Sequence, residues 1–199
     1  MKVKAVFGLG NPGLEHALSR HNAGFQAIDL YRRVHCPRRK GTIAAHSLVY
    51  RTKEILLVKP LTYMNESGQA VRAVLDRFKV ELADSLVVYD DLDLPLGTMR
   101  VLAAGGAGSH NGMRSVLAAV GSEEIPRLRI GIGTESRPDE ETSYVLGRFA
   151  LAEWERLLPV LESAVEAIET FSTSDITAVM NRFNRRGSSI AEGGDTAII

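Results

Sequence analysis

Short apolar runs alternate with amphipathic stretches along most of the chain. Residues 3–9 and 85–89 are almost continuously apolar and are followed by glycine or acidic residues, a pattern typical of buried strands. In residues 67–79 the apolar side chains instead recur at helical spacing. The pattern predicts strands at residues 3–9, 43–51, 54–59, 85–89, 98–102 and 127–133, and helices at residues 22–34, 67–79, 110–120, 151–171 and 174–184.

This alternation predicts one α/β domain, and a chain of 199 residues is long enough to bury its core. The strands at 43–51 and 54–59 are separated by Thr52 and Lys53, which suggests a hairpin. No repeat or linker divides the chain, so we expect the domain to cover residues 1–186. Residues 187–199 are small, polar and rich in glycine, which predicts a flexible tail.

Composition predicts an ordinary globular protein, with 45% hydrophobic and 24% charged residues. No apolar run approaches the roughly 20 residues needed to cross a bilayer, and the N-terminal sequence lacks a signal-peptide cleavage pattern. Cys36 is the single cysteine, so it forms neither an internal disulfide nor a CxxC zinc site. We therefore expect a cytoplasmic protein that does not bind membranes.

The net charge of zero conceals an uneven distribution. Residues 1–60 contain eleven Lys and Arg against three Asp and Glu, and the remainder contains thirteen against twenty-one. Within the first part, residues 32–40 hold five basic side chains. Such a basic segment either holds phosphate groups or is simply a solvated helix end, and the sequence leaves both interpretations open.

The glycine string at residues 8–13 matches the G-x-G-x-x-G pattern of dinucleotide-binding folds and follows a predicted strand. Pro12 argues against this interpretation because it lacks an N–H group where a pyrophosphate would need donors. The acidic residue expected at the end of a second strand is also misplaced, since Asp29 lies in a helical pattern. A dinucleotide-dependent oxidoreductase is therefore the weakest hypothesis, and a turn at Asn-Pro-Gly is favoured.

Four polar clusters follow predicted strands or lie in loops beside them. They are Asn11 with residues 20–22, residues 63–65 within KPLTYMNESG, the acidic residues 90–93, and the glycine loop at residues 105–112. Each has an ordinary explanation, namely a surface histidine, a helix N-cap, a solvated turn and a tight turn. The acidic residues also suggest either a Mg²⁺ site or a carboxylate directed at a neighbouring residue. Together the four clusters lie where open α/β sheets bind ligands, which favours a single shared site.

The side chains in these clusters favour hydrolysis by water. They offer histidine, carboxylate and three amides, Asn11, Asn65 and Asn111. A G-x-S-x-G nucleophile motif is missing from the sequence, and Cys36 is distant from the clusters along the chain. The inventory therefore suits attack of water on a carbonyl, with a histidine as the base.

Four strings resemble those of bacterial peptidyl-tRNA hydrolases in order and spacing, over about residues 3–185. They are GLGNPG…SRHNAG, KPLTYMNESG, YDDLDLPLG and GGAGSHNG…RLRIGIG. This resemblance implies a mixed, mostly parallel twisted sheet with helices on both faces. It also implies hydrolysis of the ester between a peptide and the tRNA 3′ end, which recycles tRNA for translation and ribosome rescue. We expect peptidyl-tRNA as the partner, no cofactor, no metal, and a monomer.

The resemblance also assigns roles to residues. His21 matches the catalytic base, Asp90 the carboxylate that orients it, and Asn11 the residue that separates blocked from free aminoacyl ends. By hypothesis, Asn65 or Asn11 donates a hydrogen bond to the carbonyl oxygen as charge develops there. Contacts with the substrate are expected from Tyr63, Met64, Asn65, His110 and Asn111, with Arg129 near the tRNA 5′-phosphate.

Some positions depart from the family pattern. His16 stands where a tyrosine usually contacts tRNA, and Leu102 stands where a lysine often helps to bind the 5′-phosphate. Ala107 and Ser109 replace the commoner histidine and glycine. Arg100 shares a strand face with Leu102, so we predict that it partly replaces the missing charge. A non-catalytic RNA-binding relative of the same fold is the alternative, although a pure binder needs no base with an orienting acid.

Overall fold

The computed structural model describes residues 3–184, which form a seven-stranded sheet covered by six helices. The strands are β1 (Lys4–Gly8), β2 (Thr42–Ala44), β3 (Ser47–Arg51), β4 (Ile55–Pro60), β5 (Ser85–Pro95), β6 (Met99–Leu102) and β7 (Arg127–Gly133). The helices are α1 (Ala23–His35), α2 (Ser67–Phe78), α3 (Asn111–Val120), α4 (Glu141–Leu146), α5 (Leu151–Thr173) and α6 (Ile176–Phe183). The predicted flexible tail, residues 187–199, lies outside the described residues.

The strand order is β2-β3-β4-β1-β5-β7-β6. The four central strands, β4, β1, β5 and β7, are parallel, whereas β2, β3 and β6 pair with their neighbours in antiparallel fashion. This arrangement confirms the mixed α/β sheet. Because parallel strands end at the same edge, the loops that follow β1, β4, β5 and β7 come together there.

Two hydrophobic cores lie on opposite faces of the sheet. Val6, Leu57 and Val88 face α1, α5 and α6 on one side. Phe7 and Val58, together with their neighbours in the other strands, face α2 and α3 on the other side. Successive side chains of a strand point to opposite faces, so a strand that is covered on both sides is apolar throughout. This explains the continuous apolar runs that the sequence shows at β1, β4 and β5.

The predicted strand at 43–51 is divided into β2 and β3 by a tight turn. Ala45 and His46 occupy this turn with φ angles of 50° and 54°. Two-residue hairpin turns with positive φ usually contain Asn-Gly or Asp-Gly, and Ala-His carries no such signal. The predicted hairpin across Thr52 and Lys53 is confirmed, because β3 and β4 pair as antiparallel neighbours.

Strand β5 continues beyond its predicted end at Tyr89. Asp90 and Asp91 pair with Ile130 and Gly131 of β7, and the register shifts before Pro95. The acidic cluster therefore begins inside the sheet rather than in a turn after it. This placement buries Asp90 and pairs its backbone with β7.

Helix α5 is the longest helix, with 23 residues. Lys4 secures its C-terminal end, where the Nζ atom donates hydrogen bonds to the Phe171 and Ser174 carbonyl oxygens at 2.8 and 2.6 Å. A cation at this position also complements the helix dipole. None of the helices within residues 3–184 combines the length and the hydropathy needed to cross a membrane.

Candidate active site

The glycines of the string at residues 8–13 allow α1 to pack directly on the ends of the central strands. A Cβ atom at Gly8 would lie 2.3 Å from the Gly24 carbonyl oxygen, and one at Gly10 would lie 2.6 Å from the Phe25 ring. A Cβ atom at Gly24 would lie 2.3 Å from the Val88 carbonyl oxygen of β5. Only glycine allows this close packing of the helix, so the G-x-G-x-x-G string has a structural role here. The same contacts also place the turn Arg20–Asn22, which precedes α1, beside the end of β5.

His21 and Asp90 meet at this edge of the sheet. The Nδ1 atom of His21 lies 3.0 and 2.9 Å from the two carboxylate oxygens of Asp90. Asp90 is 1% exposed and His21 is 9% exposed. An ionised carboxylate only accepts hydrogen bonds, so Nδ1 donates and Nε2 is the basic nitrogen of the neutral ring.

The electrostatics of this pair favour an ionised carboxylate and a basic imidazole. Burial lowers the pKa of His21, but the charge of Asp90 and its hydrogen bond outweigh burial and raise the pKa above 6.5. Burial alone would raise the pKa of Asp90. The adjacent His21 and His110 instead hold that pKa well below its ordinary value of 3.8. Asp90 therefore remains negatively charged.

His110 is a second imidazole on the same carboxylate. It is the N-cap of α3, where its Nδ1 atom accepts a hydrogen bond from the Met113 backbone N–H at 3.0 Å. Because Nδ1 accepts, the ring proton is on Nε2, which donates to Asp90 at 3.1 Å. Asp90 is thus held between two histidine donors.

These three residues also have a spacing that a metal ion could bridge, since their ligand atoms lie within 4.8 Å of one another. Coordination through Nε2 of His110 would require the proton to move to Nδ1. That move would direct Nδ1–H against the Met113 N–H group. The hydrogen bonding of His110 therefore favours the paired hydrogen bonds over metal ligation.

Asn11 is held with its amide in a defined orientation. Its side-chain oxygen accepts a hydrogen bond from the Met64 N–H group at 2.8 Å. Asn22 binds the Asn11 backbone on both sides, accepting from its N–H at 2.8 Å and donating to its carbonyl at 3.0 Å. The Asn11 amide oxygen is thus engaged, which leaves the NH₂ group to donate to a ligand. Asn22 belongs to the first polar cluster of the sequence, but no role was predicted for it.

Met64 connects the second cluster to the glycine loop. It is buried, and a Cβ atom at Gly112 would lie 2.4 Å from its sulfur, so glycine is required for this close packing. The four clusters consequently close into a ring of contacts. The ring runs from Asn11 to Met64, Gly112, His110, Asp90, His21 and Asn22, and back to Asn11. The structure therefore brings the predicted clusters together in one site.

Three of the predicted contact residues lie at the rim of this ring. Tyr63 and Asn65 flank Met64 and are exposed. Asn111 is also exposed, and its side-chain oxygen accepts a hydrogen bond from Arg114 at 3.0 Å. Its NH₂ group is therefore left to donate. His16 lies 3.8 Å from Glu15 and is not among the residues that line the adjoining cleft.

A cleft of about 230 Å³ opens beside His21 and Asp90. The glycine loop, Asn111, Arg129 and residues of α4 line it. Arg129 forms an ion pair with Asp91. Arg100 lies outside the cleft lining but is the direct cross-strand partner of Arg129, so both side chains project from the same face of the sheet. Two adjacent cations on one face favour an anionic ligand.

Arg127 holds the glycine loop in place and was missed by the sequence prediction. It is completely buried, and its guanidinium donates to the carbonyl oxygens of Gly106, Glu123 and Ile125 at 2.9, 3.0 and 3.2 Å. The loop that carries His110 and Asn111 is thereby attached to the segment before β7. The sequence shows two arginines in RLRIGIG but not which of them is buried.

The basic segment at residues 32–40 does not belong to this cleft. It includes the C-terminal end of α1, and α1 begins two residues after His21. Between Ala23 and Arg32, where the segment starts, the helix rises about 14 Å, which separates the segment from His21 and Asp90. Whether this segment binds phosphates stays a prediction.

Comparison with known proteins gives one consistent result. The family model described as "Peptidyl-tRNA hydrolase" matches residues 5–191. A peptidyl-tRNA hydrolase from Synechococcus sp. (strain JA-2-3B'a(2-13)) is 46% identical over 190 residues, which cover 92% of this chain and 84% of the relative. A second, from Syntrophomonas wolfei, is 44% identical over 92% of this chain and its own full length. The crystal structure of peptidyl-tRNA hydrolase from Acinetobacter baumannii superposes with a TM-score of 0.82 and 29% identity, covering 92% of this chain and 94% of that one.

Proposed function

The chain belongs to the peptidyl-tRNA hydrolase family, and from this membership and the site geometry we propose that His21 is its general base. As a peptidyl-tRNA hydrolase, the protein cleaves the ester bond of peptidyl-tRNA. The observation that carries the proposal is the buried contact between His21 and Asp90. It leaves Nε2 of His21 free to take a proton from water.

The reaction begins with water attacking the ester carbonyl. As water loses its proton to Nε2, His21 becomes an imidazolium, and the negative charge of Asp90 stabilises it. The proton then returns to the departing ribose oxygen of tRNA, so His21 is restored. His110 keeps the Asp90 carboxylate in place by donating to one of its oxygens.

The side-chain amides stabilise the oxygen on which charge develops. Asn11 and Asn65 are the candidate donors, and the Asn11 NH₂ group is oriented by the hydrogen bond that its oxygen accepts from Met64. Loss of one such donor costs about 10²–10³ in rate. Asn11 also provides a basis for selectivity. A blocked amino group offers a carbonyl acceptor to the Asn11 donor, whereas a free amino group is an ammonium donor and is rejected.

The tRNA part of the substrate extends over the β6–β7 side of the cleft. Arg129 and Arg100 form a cationic pair there that suits the 5′-phosphate. Arg100 supplies charge on the strand that carries Leu102. His16, Tyr63, Met64 and Asn111 contribute the remaining contacts with the peptidyl-tRNA end. We propose that the enzyme acts as a cytoplasmic monomer.

The proposal is tested by following tRNA release from N-blocked and free aminoacyl-tRNA. We expect cleavage of the blocked ester alone by the wild-type protein, because free aminoacyl ends present an ammonium group to Asn11. His21→Ala should lose this activity while retaining substrate binding. Equal cleavage by wild type and His21→Ala would refute the assignment of the base.

A further inference from the structure

Helix α4 forms one wall of the cleft and is only partly buried. Glu141, Thr142 and Val145 of this helix line the cleft together with His21. None of the six residues of α4 is buried. Tyr144 and Val145 pack against the core in part, and the Tyr144 hydroxyl donates to the Ile132 carbonyl oxygen at 2.6 Å. Because this burial is incomplete, the position of α4 also depends on a few specific contacts.

Arg20, directly before His21, makes several of these contacts. Its Nη2 atom donates to both carboxylate oxygens of Glu153 at 2.9 and 2.7 Å. Its Nη1 atom donates to the carbonyl oxygen of Tyr144 in α4 at 3.2 Å. The guanidinium also stacks on the Tyr144 ring, 4.1 Å from its centroid, and the side chain is only 11% exposed. A planar guanidinium can pair with Glu153 through one nitrogen, donate to the Tyr144 carbonyl through another and stack on the ring, a combination that an ammonium does not reproduce.

The backbone extends the same attachment. The Arg20 N–H group donates to the Gly147 carbonyl at 3.0 Å, and Ser19 forms a β-bridge with Arg148. Glu153 also accepts from the Ala150 N–H group at 2.7 Å, at the start of α5. One carboxylate therefore joins the turn that carries His21 to the junction between α4 and α5.

We propose that Arg20 is a positioning residue that ties the α4 wall of the cleft to the turn carrying His21. The ion pair with Glu153 keeps the wall at a fixed distance from the base, so that the substrate enters a preformed cleft. Arg20 itself does not contact the reacting atoms. The inference rests on the proposed role of His21 in that cleft.

The test compares Arg20→Met, Glu153→Gln and the double variant with wild type. We expect KM to rise about tenfold in each single variant, because charge-assisted hydrogen bonds are lost, with kcat changed less than about threefold. The double variant should resemble the single ones, since both remove the same contact. Arg20→Lys keeps the positive charge but loses the planar group that stacks on Tyr144 and donates to its carbonyl. Its KM should therefore lie between those of wild type and Arg20→Met. Arg72→Met removes an exposed ion pair with Asp76 on α2 and serves as the matched control.

Hydrogen exchange separates positioning from general destabilisation. In Arg20→Met, amides 144–147 should exchange faster, whereas amides of β5 and β7 should keep their protection. Unchanged KM with unchanged exchange at 144–147 would overturn the inference, and so would equally faster exchange throughout the sheet. If His21→Ala kept full kcat, the proposed base would fail, but the exchange result would still test Arg20. Glu153→Gln keeps the inference testable if Arg20→Met does not fold.

Discussion

Replacing Asp90 by asparagine would test the central electrostatic relation of the site. The variant keeps the side-chain shape but removes the charge that faces the His21 imidazolium at 2.9 Å. Because both charges are delocalised, their effective separation is about 4 Å, which gives about 4 kcal/mol at an effective dielectric constant of about 20. Each ~1.4 kcal/mol is a factor of ten in rate, so we expect kcat to fall by about 10³.

The pH dependence of kcat/KM tests the effect of Asp90 on His21 independently of the rate loss. With His21 as the proposed base, its neutral form is the active one, so kcat/KM should rise as pH increases through the His21 pKa. In the wild type Asp90 raises this pKa above 6.5. The acid limb, which is the part of the pH profile where kcat/KM rises with pH, therefore lies at a correspondingly high pH. In Asp90→Asn the burial that lowers the pKa is no longer opposed, so the acid limb should move to lower pH. The plateau should fall at the same time.

The measurement is kcat/KM for N-blocked aminoacyl-tRNA between about pH 5 and about pH 9, where imidazole titrates. Asp76→Asn is the matched control, since Asp76 is an exposed carboxylate on α2 that pairs with Arg72. A loss smaller than tenfold, or an acid limb that does not move, would show that Asp90 does not set the basicity of His21.

Other substitutions test the remaining roles. His21→Ala should lower kcat by about 10²–10⁴ with little change in KM, as measured by steady-state kinetics; a normal kcat would contradict the base assignment. Asn11→Asp keeps the acceptor for Met64 but removes the donor, so the ratio of kcat/KM for blocked over free aminoacyl-tRNA should fall; an unchanged ratio would remove Asn11 from selectivity. Arg100→Ala should raise KM and reduce the slope of log KM against log salt by about one, and an unchanged slope would exclude a phosphate contact.

The main elements of the fold could be predicted because the sheet is covered on both faces. Buried strands such as β1 and β5 need apolar residues throughout, and α2 shows its buried stripe directly. Helix α4 escaped prediction because none of its residues is buried, so no apolar period marks it. The turn at Ala45 and His46 escaped because its positive φ angles occur without glycine or asparagine.

The site was predictable in its parts but not in its connections. The order of the motifs indicated that His21, Asp90 and the asparagines meet. The structure places His21, Asp90 and Asn11 in one ring of contacts, with Asn65 and Asn111 at its rim. The sequence did not indicate that His110 donates to Asp90, because this depends on which ring nitrogen the Met113 N–H group occupies. The role of Asn22 depends on a loop conformation that brings its side-chain amide against the backbone of Asn11.

The buried guanidinium of Arg127 shapes the glycine loop through polar contacts and not through an apolar core. Its nitrogens donate to three backbone carbonyl groups, a number that the several fixed donors of guanidinium can serve at once. Loss of the guanidinium would leave these carbonyl groups without their donor, and each unsatisfied buried polar group costs about 1–3 kcal/mol. The presentation of His110 and Asn111 therefore depends on a residue of the neighbouring strand β7, and a substitution at Arg127 would disturb both without altering either side chain.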